Sequence, residues 1–505
     1  MNTAAALAAV LAVSLVTLGI GSFGLRISRT TSDFYVASRN VGPVVNASAI
    51  GGEYLSAASF LGVAGLILAR GADTLWYPVG WTAGYLLLLV FVAAPLRRSR
   101  AYTLPDFAEF RVESLAARRV ASGLVGVIGV LYLVPQFQGA GLTLRTLTGA
   151  PQWVGAVVVS LIVLVNVASG GMRSVTLVQA FQYWLKLFAL LTPLMVLLVV
   201  WHRHGGGSRV PLHTTDWIEP LTGPHSLYLT YSLILATFLG TMGLPHVVVR
   251  FYTNPDGRAA RRTTVVVLAM LSAFYLLAPL YGVLGRVFAF DLVASGRTDS
   301  VVLELPGRML DGPPGVALTA LLGAGAFAAF LSTSSGLVMS IGGVVSQDLL
   351  SGRFDGVTAF RLGGTIGALA TLALTLLTSG IAVAHAVELA FAVAASTFCP
   401  LLLLGIWWRG LTARGAVSGM LVGGALSVSA VVAVTLGADP AGWPGALLAQ
   451  PALCTVPLAF GTMIGVSLLT RARLPRHVGQ SMVRLHSPEN VDLDRGSYHP
   501  DSARR

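Results

Sequence analysis

The stretch from residue 46 to residue 62 reads NASAIGGEYLSAASFLG and decides the fold of this chain. It lies in an apolar segment at about 44–69, which is long enough to cross a bilayer, because a membrane helix needs roughly 20 apolar residues. Gly51, Gly52 and the carboxylate of Glu53 fall in its middle. Glycine lowers helix stability by about 1 kcal/mol relative to alanine, and a central acidic residue opposes insertion by about 2.5–3.5 kcal/mol. We therefore expect an interrupted membrane helix whose unwound backbone lines a cavity. A kinked packing helix with a paired or protonated Glu53 is the alternative.

The composition places the whole chain in lipid. Of its 505 residues, 55% are hydrophobic and only 11% are charged, whereas soluble proteins carry about 25% charged residues. The net charge of +12 comes from short basic clusters between apolar runs, which indicates membrane orientation and no nucleic-acid partner. Cys399 and Cys454 lie in apolar runs and predict neither a disulfide nor a zinc site. No motif such as H-E-x-x-H occurs, so we expect no enzyme.

The hydropathy pattern predicts an all-α polytopic membrane protein with about thirteen transmembrane helices. Their approximate ranges are 4–25, 44–69, 75–96, 120–147, 152–169, 175–201, 227–249, 263–285, 315–347, 362–380, 384–408, 414–436 and 446–470. Lys and Arg residues in the intervening loops and the C-terminal tail divide 25 to 7 between the two sides. This asymmetry predicts a bacterial-type inner membrane, with the N-terminus outside and the C-terminus in the cytoplasm. Residues 1–470 form the predicted transmembrane domain, and 471–505 form a polar cytoplasmic tail.

Further polar residues lie within the predicted spans. Ala329, Ser332 and Thr333 in the ninth span are spaced i, i+3, i+4, so a carbonyl and two hydroxyls share one helical face. This pattern suits a hard cation such as sodium, although hydroxyls of this kind more often hydrogen-bond between helices. Intramembrane ionisable and amide residues are candidate functional groups. The others are Gln136, Gln138, Lys186, His246, Arg250, His385 and Glu388. Lys186 is the deepest cation, and pairing with Glu53 or Glu388 is one option.

Four stretches point to a known family. They are DFYVASR at 33–39, EYLSAASFLG at 53–62, GTMGLPH at 240–246 followed by RFYT at 250–253, and AFAVAAS at 390–396. Together they resemble the sodium:solute symporter family, and within it the cation/acetate (monocarboxylate) symporter branch. The resemblance extends from about residue 33 to residue 414, and the third stretch is its most specific part.

The resemblance implies a fold and a set of site residues. The fold would be an inverted repeat of two five-helix halves, at about 44–201 and 227–408, like that of the neurotransmitter:sodium symporters. A sodium site would lie between the second and ninth spans, with ligands carried over as the carbonyls of Gly52, Leu55 and Ala329 and the hydroxyls of Ser332 and Thr333. We place the substrate pocket or its coupling residues beside that site, at Glu53, Tyr54, Ser56, Gln136 and Gln138.

The expected function is secondary active symport by alternating access, in which sodium entry drives uptake of a small monocarboxylate such as acetate, propionate or pyruvate. We expect no cofactor beyond the sodium ion, and the partners are this ion, the carboxylate and the lipid bilayer. Members of the acetate branch usually carry Asp where this chain has Glu53, so the particular acid stays open. The alternatives are proton coupling with Glu53 titrating, transport of another small organic solute, a transporter-like sensor and a channel.

Overall fold

The computed structural model describes residues 3–27, 36–203, 215–221, 223–350, 352–378, 383–438, 440–489, 491–492 and 497–498. Residues 33–35 of the first family-like stretch lie outside this part. The described chain is almost entirely helical, as predicted. Its α-helices are α1 (Thr3–Ile27), α2 (Pro43–Tyr54), α3 (Val63–Arg70), α4 (Trp76–Leu87), α5 (Ala93–Ser99), α6 (Leu104–Val112), α7 (Leu115–Thr148), α8 (Gln152–Arg203), α9 (Thr215–Ile218), α10 (Ser226–Gly243), α11 (Pro245–Val249), α12 (Gly257–Tyr275), α13 (Ala278–Phe288), α14 (Asp291–Ala294), α15 (Val301–Met309), α16 (Pro313–Val344), α17 (Gly356–Leu377), α18 (Val383–Trp407), α19 (Ala413–Thr435), α20 (Trp443–Ala449), α21 (Ala452–Leu469) and α22 (Val478–His486).

Short irregular elements connect these helices. π-helical turns occupy Ala58–Gly62, Leu88–Val92 and Val345–Leu349, and 3-10 turns occupy Ala37–Arg39, Gly71–Leu75, Arg250–Thr253, Thr298–Ser300 and Arg471–Arg473. In the tail, β1 (Val491–Asp492) pairs antiparallel with β2 (Ser497–Tyr498). The tail therefore carries a short antiparallel strand pair in addition to α22.

Eleven helical stretches in the described residues are long and apolar enough to cross a membrane, which differs from the predicted thirteen. Two of them, Ala58–Ser99 and Gln152–Arg203, contain 42 and 52 residues. A bilayer needs only about 20 residues, so each is about twice the spanning length, and each covers parts of two predicted spans. Gly71 (φ 74°) and Gly171 (φ 57°) interrupt them with backbone conformations that favour glycine. Their division into separate spans, which would give thirteen, stays a prediction.

Burial separates an inner set of spans from a peripheral set. In α18, 89% of the most apolar window is buried, and the value is 78% for the spans formed by α10 with α11 and by α16. It falls to 33% in α1, 39% in α19 and 33% in α21. The first and last two predicted spans are therefore among the least buried, together with α17 at 39%, and α16 and α18 lie in the interior of the bundle.

The loops that the charge count assigns to the basic side meet at one end of the bundle. Arg97 donates to the Pro255 carbonyl at 2.6 Å, and Arg118 forms an ion pair with Asp348. Glu489 of the tail accepts a hydrogen bond from the Gly257 N–H at the start of α12. These contacts support the predicted alternation of loops.

Arg308 lies in a second set of loops, which the charge count assigns to the other side. It pairs with Asp291 at 2.5 Å and with Glu304 at 2.9 Å. The Arg308 guanidinium lowers the pKa of the Asp291 carboxyl below its ordinary value. The orientation of the bundle and its location in an inner membrane stay predictions.

Candidate cation and substrate site

The first broken helix ends after the glycine pair, not at it. α2 continues as a helix through Gly51 and Gly52 to Tyr54. Leu55 then leaves the helical conformation (φ −74°, ψ 83°), and helical structure resumes at Ala57. The prediction of an interrupted span is confirmed, but its placement at the glycines is wrong.

The glycine pair instead permits close packing between helices. A methyl group placed on Gly52 would overlap the backbone carbonyl of Gln179 in α8, and one on Gly51 would lie 2.8 Å from the ring of Tyr183. Glycine is needed where another backbone approaches this closely. The two residues therefore bring α2 against α8 at the level of the break.

Gln136 of α7 binds the free end of the backbone after the break. Its side-chain oxygen accepts a hydrogen bond from the Ala57 N–H at 3.0 Å, which satisfies an amide that has no helical partner. Gln138 lies away from the break. It donates to the Thr378 carbonyl at 3.2 Å and lines a cavity of about 470 Å³. The structure therefore brings Gln136, and not Gln138, to the break, because residues two apart on a helix face different directions.

A second interrupted helix was not predicted. α10 ends at Gly243, Leu244 is extended (φ −71°, ψ 116°), and α11 begins at Pro245. Proline favours the first position of a helix and disfavours helical geometry in the residue before it, so the G-L-P sequence carried a readable signal. The first helix of each predicted half is thus interrupted. This pairing supports the inverted repeat, which stays a proposal.

Three oxygens of the predicted sodium site surround the side-chain ammonium of Lys186. Nζ donates to the Leu55 carbonyl at 2.7 Å, to Ser332 Oγ at 3.0 Å and to the Gly52 carbonyl. An ammonium has three N–H groups, so these three acceptors satisfy it completely. The predicted option of an ion pair between Lys186 and Glu53 or Glu388 is wrong, since each carboxylate is paired elsewhere in the described chain.

The two hydroxyls on α16 complete this group of oxygens. Ser332 Oγ lies 2.6 Å from the Gly52 carbonyl and 3.1 Å from the Ala329 carbonyl. Thr333 Oγ1 donates to the Glu53 carbonyl at 2.6 Å. The structure therefore brings together the residues assigned to the sodium site, at the contact between the broken helix and α16. That they bind sodium stays a prediction.

Glu53 forms a buried ion pair with Arg250. Arg250 Nε lies 2.6 Å from Glu53 Oε2, and its other donors reach Thr176 Oγ1 at 2.8 Å and Gln179. Both charged side chains are 1% exposed. The sequence allowed Glu53 to be either paired or protonated. The ion pair with Arg250 supports the paired carboxylate. When Glu53, Arg250 and Lys186 are all ionised, the group carries one unbalanced positive charge.

An aromatic cluster lies on the other side of the break. The Tyr54 hydroxyl lies 2.7 Å from Thr241 Oγ1 and donates to the Trp81 carbonyl at 3.2 Å. Phe391 packs against Tyr54, Trp81 and Tyr132, with ring centroids 5.8–6.2 Å apart. The aromatic cluster comprises Tyr54, Trp81, Tyr85, Tyr132, His246, Tyr275 and Phe391. Ser56 follows the break beside Tyr132.

Several polar atoms of the aromatic cluster have no hydrogen-bond partner within the described chain. They are Trp81 Nε1, the Tyr85 hydroxyl and both ring nitrogens of His246, all of them buried. Buried polar groups are nearly always hydrogen-bonded, so these atoms are the ones available to a bound solute. Trp81 and Tyr85 were missed by the sequence analysis, because no local motif distinguishes them from packing aromatics.

These features define a class of protein. The chain has two interrupted membrane helices, and at one break carbonyl and hydroxyl oxygens hold the ammonium of Lys186. Discontinuous helices whose freed carbonyls can coordinate a cation are typical of secondary transporters. The Sodium:solute symporter family model matches residues 34–423 of the chain. The chain belongs to this family and is a multi-pass membrane protein.

Comparison with known proteins gives relatives that are similar along most of the chain. An uncharacterized symporter of Bacillus subtilis, YwcA, is 32% identical over 91% of this chain and 93% of its own length. A monocarboxylic acid transporter of Corynebacterium glutamicum is 31% identical over 87% of this chain and 88% of its own. The substrate-bound, outward-open structure of a Na⁺-coupled sialic acid symporter superposes with a TM-score of 0.71 at 15% identity, over 93% of this chain and 98% of that one. The last comparison shows a shared fold.

Proposed function

We propose that this chain is a secondary active symporter that takes up a small monocarboxylate, such as acetate, propionate or pyruvate, together with sodium. Membership of the sodium:solute symporter family supports coupling of solute uptake to sodium. The monocarboxylic acid transporter at 31% identity supports the substrate class. The structural observation that carries the proposal is the break at Leu55. The Leu55 carbonyl accepts a hydrogen bond from the Lys186 ammonium, and the neighbouring Tyr54 side chain lies in the aromatic cluster.

The buried charge favours an anionic solute. Lys186, Arg250 and Glu53 together leave one positive charge, and Lys186 donates only to neutral oxygens. In a medium of low dielectric constant such a charge attracts an anion much more strongly than in water. One carboxylate would balance it, and Trp81 and Tyr85 offer donors for its oxygens. The apolar faces of the aromatic cluster suit a short hydrocarbon chain.

The shared break gives a physical basis for coupling. A cation at Gly52, Leu55 and Ser332 fixes the backbone on one side of the break, and Tyr54 and Ser56 border the aromatic cluster on the other side. Each occupant therefore favours the same backbone conformation. Coupling of this kind is typically worth 1–3 kcal/mol between two sites. Rocking of one helix bundle against the other would release both solutes on the cytoplasmic side.

Proton coupling is the second candidate, and one observation favours it. Lys186 already supplies a cation to three oxygens of the proposed sodium site. A proton carried on Lys186 could then serve as the coupling ion. The titrating group would be Lys186 and not Glu53, whose carboxylate is held by Arg250.

The proposal is tested with the purified full chain in proteoliposomes. Counterflow uptake of labelled acetate, propionate and pyruvate identifies the solute. Two competitors test selectivity: proline, which is a zwitterion, and sialic acid, which is a much larger carboxylic acid. Accumulation under an inward sodium gradient at constant pH supports sodium coupling, and accumulation under a proton gradient without sodium supports the second candidate. Uptake of none of the three acids would refute the substrate class.

Two variants test the proposed ligands. Ser332→Ala and Thr333→Ala each remove one hydroxyl from the site without changing a charge. We expect each to raise the sodium concentration needed for half-maximal uptake. If both leave the sodium dependence unchanged, sodium does not bind at this place.

A further inference from the structure

A large cleft separates the tail helix α22 from the core at the end of the bundle where the basic loops meet. It encloses about 1010 Å³, which is enough for a small solute or a lipid headgroup. Its walls are the end of α5, the end of α6 and the tail from His477 to Glu489. The arginines and carboxylates that line this tail cleft are Arg98, Arg100, Glu113, Arg484 and Glu489. The proposed transport of a carboxylate with sodium uses none of them.

Both carboxylates of the tail cleft already have partners. Glu489 forms an ion pair with Arg98 at 3.5 Å. Glu113 lies 3.3 Å from His477 Nδ1 and also accepts the His477 backbone N–H at 2.9 Å. Neither carboxylate is therefore left over to balance the two remaining arginines of the cleft.

Those two arginines are Arg100 and Arg484. In the described part of the chain no carboxylate lies within ion-pair distance of either, and Arg484 lies over the Phe110 ring, 5.5 Å from its centroid. Burial and the neighbouring charges of Arg100 and Arg39 lower the pKa of the Arg484 side chain below its ordinary value. The like charges are thus close enough to repel one another, and an anion between them would relieve that repulsion.

A third arginine contacts the backbone of Arg100. Arg39 donates to the Arg100 carbonyl at 2.6 Å. Arg39 (φ 56°) and Arg100 (φ 61°) both adopt the left-handed backbone conformation, which favours glycine and costs free energy in most other residues. Loop arginines on this side are expected from membrane orientation alone, but orientation requires neither this backbone nor a shared cleft.

The charge and the donors of the tail cleft suit a phosphate group. A guanidinium binds phosphate through two parallel hydrogen bonds, and a phosphate has enough oxygens to accept from two arginines at once. A monocarboxylate carries a single charge, so it would neutralise only one of the two. Arg100 directly follows α5 and Arg484 belongs to α22, so an anion held by both would join the tail helix to the core.

We propose that the tail cleft binds a phosphate group between Arg100 and Arg484. The group belongs to a phospholipid headgroup or to a small soluble phosphate compound, since both present the same oxygens to a guanidinium. The tail helix already meets α5 through Arg98, which donates to the Leu485 and His486 carbonyls at 3.4 and 3.3 Å. The bound phosphate adds a second connection. This inference depends neither on the transported solute nor on the coupling ion.

The first test measures binding of radioactive inorganic phosphate to the delipidated full-length protein in an uncharged detergent and chloride buffer. We expect one saturable site per chain. Arg100→Gln and Arg484→Gln each remove one guanidinium and should weaken binding by at least about tenfold, because each loses hydrogen bonds to a charged group. Arg353→Gln is the matched control, since Arg353 is exposed on another basic loop and does not line the cleft. It should bind phosphate as wild type does.

The conservative variants separate geometry from charge. Arg100→Lys and Arg484→Lys keep the positive charge but lose the planar pair of donors. They should bind phosphate more tightly than the glutamine variants and less tightly than wild type. Equal weakening in the glutamine variants and in Arg353→Gln would show a general effect of net charge and would overturn the inference.

Two further measurements identify the source of the phosphate group. Phosphorus analysis of protein purified without delipidation should find about one more phospholipid per chain in wild type than in the double variant Arg100→Gln with Arg484→Gln, if the source is a headgroup. In nanodiscs, a phosphatidylglycerol bilayer would then block binding of inorganic phosphate, whereas a phosphatidylcholine bilayer would not. Equal phosphate binding in both bilayers, with no retained phospholipid, would assign the cleft to a soluble phosphate compound. Wild-type protein that binds no inorganic phosphate and retains no more phospholipid than the double variant would overturn the inference.

Wild-type protein alone decides the matter if the variants do not fold. Phenylglyoxal modifies accessible arginine side chains, and mass spectrometry locates the modified positions. Relative to delipidated protein without phosphate, an added phosphate or a restored phospholipid should slow the modification of Arg100 and Arg484 but not that of Arg353. Unchanged modification of Arg100 and Arg484 under both conditions would overturn the inference, whatever solute the protein transports.

Discussion

Arg250 donates to Glu53 across 2.6 Å between Nε and Oε2, and both side chains are 1% exposed. Glu53 lies two residues before the first break, and Arg250 lies directly after the short helix that follows the second break. The ion pair therefore links the two interrupted helices to each other. It fixes the distance between them and neutralises two charges in the interior.

We expect Arg250→Met to destabilise the protein strongly, because the Glu53 carboxylate would remain buried without its partner. Breaking a buried pair by removing one member typically costs about 3–5 kcal/mol. The double variant Glu53→Gln with Arg250→Met should recover part of this loss. Melting temperature in detergent, followed by size-exclusion chromatography, measures the effect.

The matched control for this pair is Arg297→Met. Arg297 pairs with Glu304 at 2.7 Å, but its side chain is 53% exposed, and exposed pairs contribute about 0–1 kcal/mol. Equal loss of stability in Arg250→Met and Arg297→Met would mean that the Glu53 pair does not hold the two interrupted helices together.

Gly336 of α16 makes room for the Glu53 carboxylate. A methyl group placed on Gly336 would overlap the Glu53 carboxyl group, which is fixed by Arg250 and cannot move away freely. We therefore expect Gly336→Ala to lower stability and abolish uptake, although alanine is the better helix former. Gly123→Ala in α7 is the control, because nothing lies within 4 Å of a methyl group there. It should be neutral or more stable by up to about 1 kcal/mol, and a loss of uptake in this control would argue against the steric explanation.

Gln136 accepts the hydrogen bond of the Ala57 N–H, and its replacement tests the importance of that contact. Gln136→Met has a similar volume but no acceptor, so the buried amide loses its partner at a cost of about 1–3 kcal/mol. Gln136→Glu retains a side-chain oxygen and should keep more of the uptake rate. Gln138→Met serves as control, since Gln138 donates to Thr378 away from the break. If initial rates of uptake fall equally in Gln136→Met and Gln138→Met, the contact at the break is not what matters.

The sequence predicted that the membrane helix at residues 46–62 is interrupted, but not the residue at which the interruption occurs. Glycines and a carboxylate in an apolar span indicate a departure from a plain membrane helix, and the span is indeed interrupted. Gly51 and Gly52 are nevertheless helical. Their lack of a side chain lets the ring of Tyr183 and the backbone of Gln179 pack against α2. A single sequence does not distinguish a glycine that unwinds a helix from one that lets another helix approach.

Long-range partners limited the prediction of the site. Ala329, Ser332 and Thr333 share a helical face because of their spacing, so the sequence alone predicts that they lie together. Their contact with Gly52 and Leu55 was predicted only from the resemblance to the family. Lys186 meets these oxygens from 131 or more positions away along the chain. Nothing in the local sequence of α8 indicates which helix its ammonium reaches. The second break at Leu244 was different, since the proline beside it was a usable signal.

Trp81 Nε1 and the Tyr85 hydroxyl test whether the aromatic cluster receives the carboxylate. Both atoms are buried without a partner in the described structure, so Trp81→Phe and Tyr85→Phe remove a donor and leave no protein acceptor unpaired. A hydrogen bond to a charged group contributes about 1.5–3 kcal/mol, which corresponds to a rise in KM of at least about tenfold. Tyr281→Phe is the control, because its hydroxyl donates to the Leu190 carbonyl outside the cluster, and it should change stability without a comparable change in KM.

Competition by the uncharged analogue acetamide adds a readout of charge. If Trp81 and Tyr85 bind the carboxylate, their variants should lose affinity for acetate while acetamide inhibits them as weakly as it inhibits wild type. An unchanged KM for acetate in both variants would place the substrate elsewhere, since no other protein group would have replaced the missing donors.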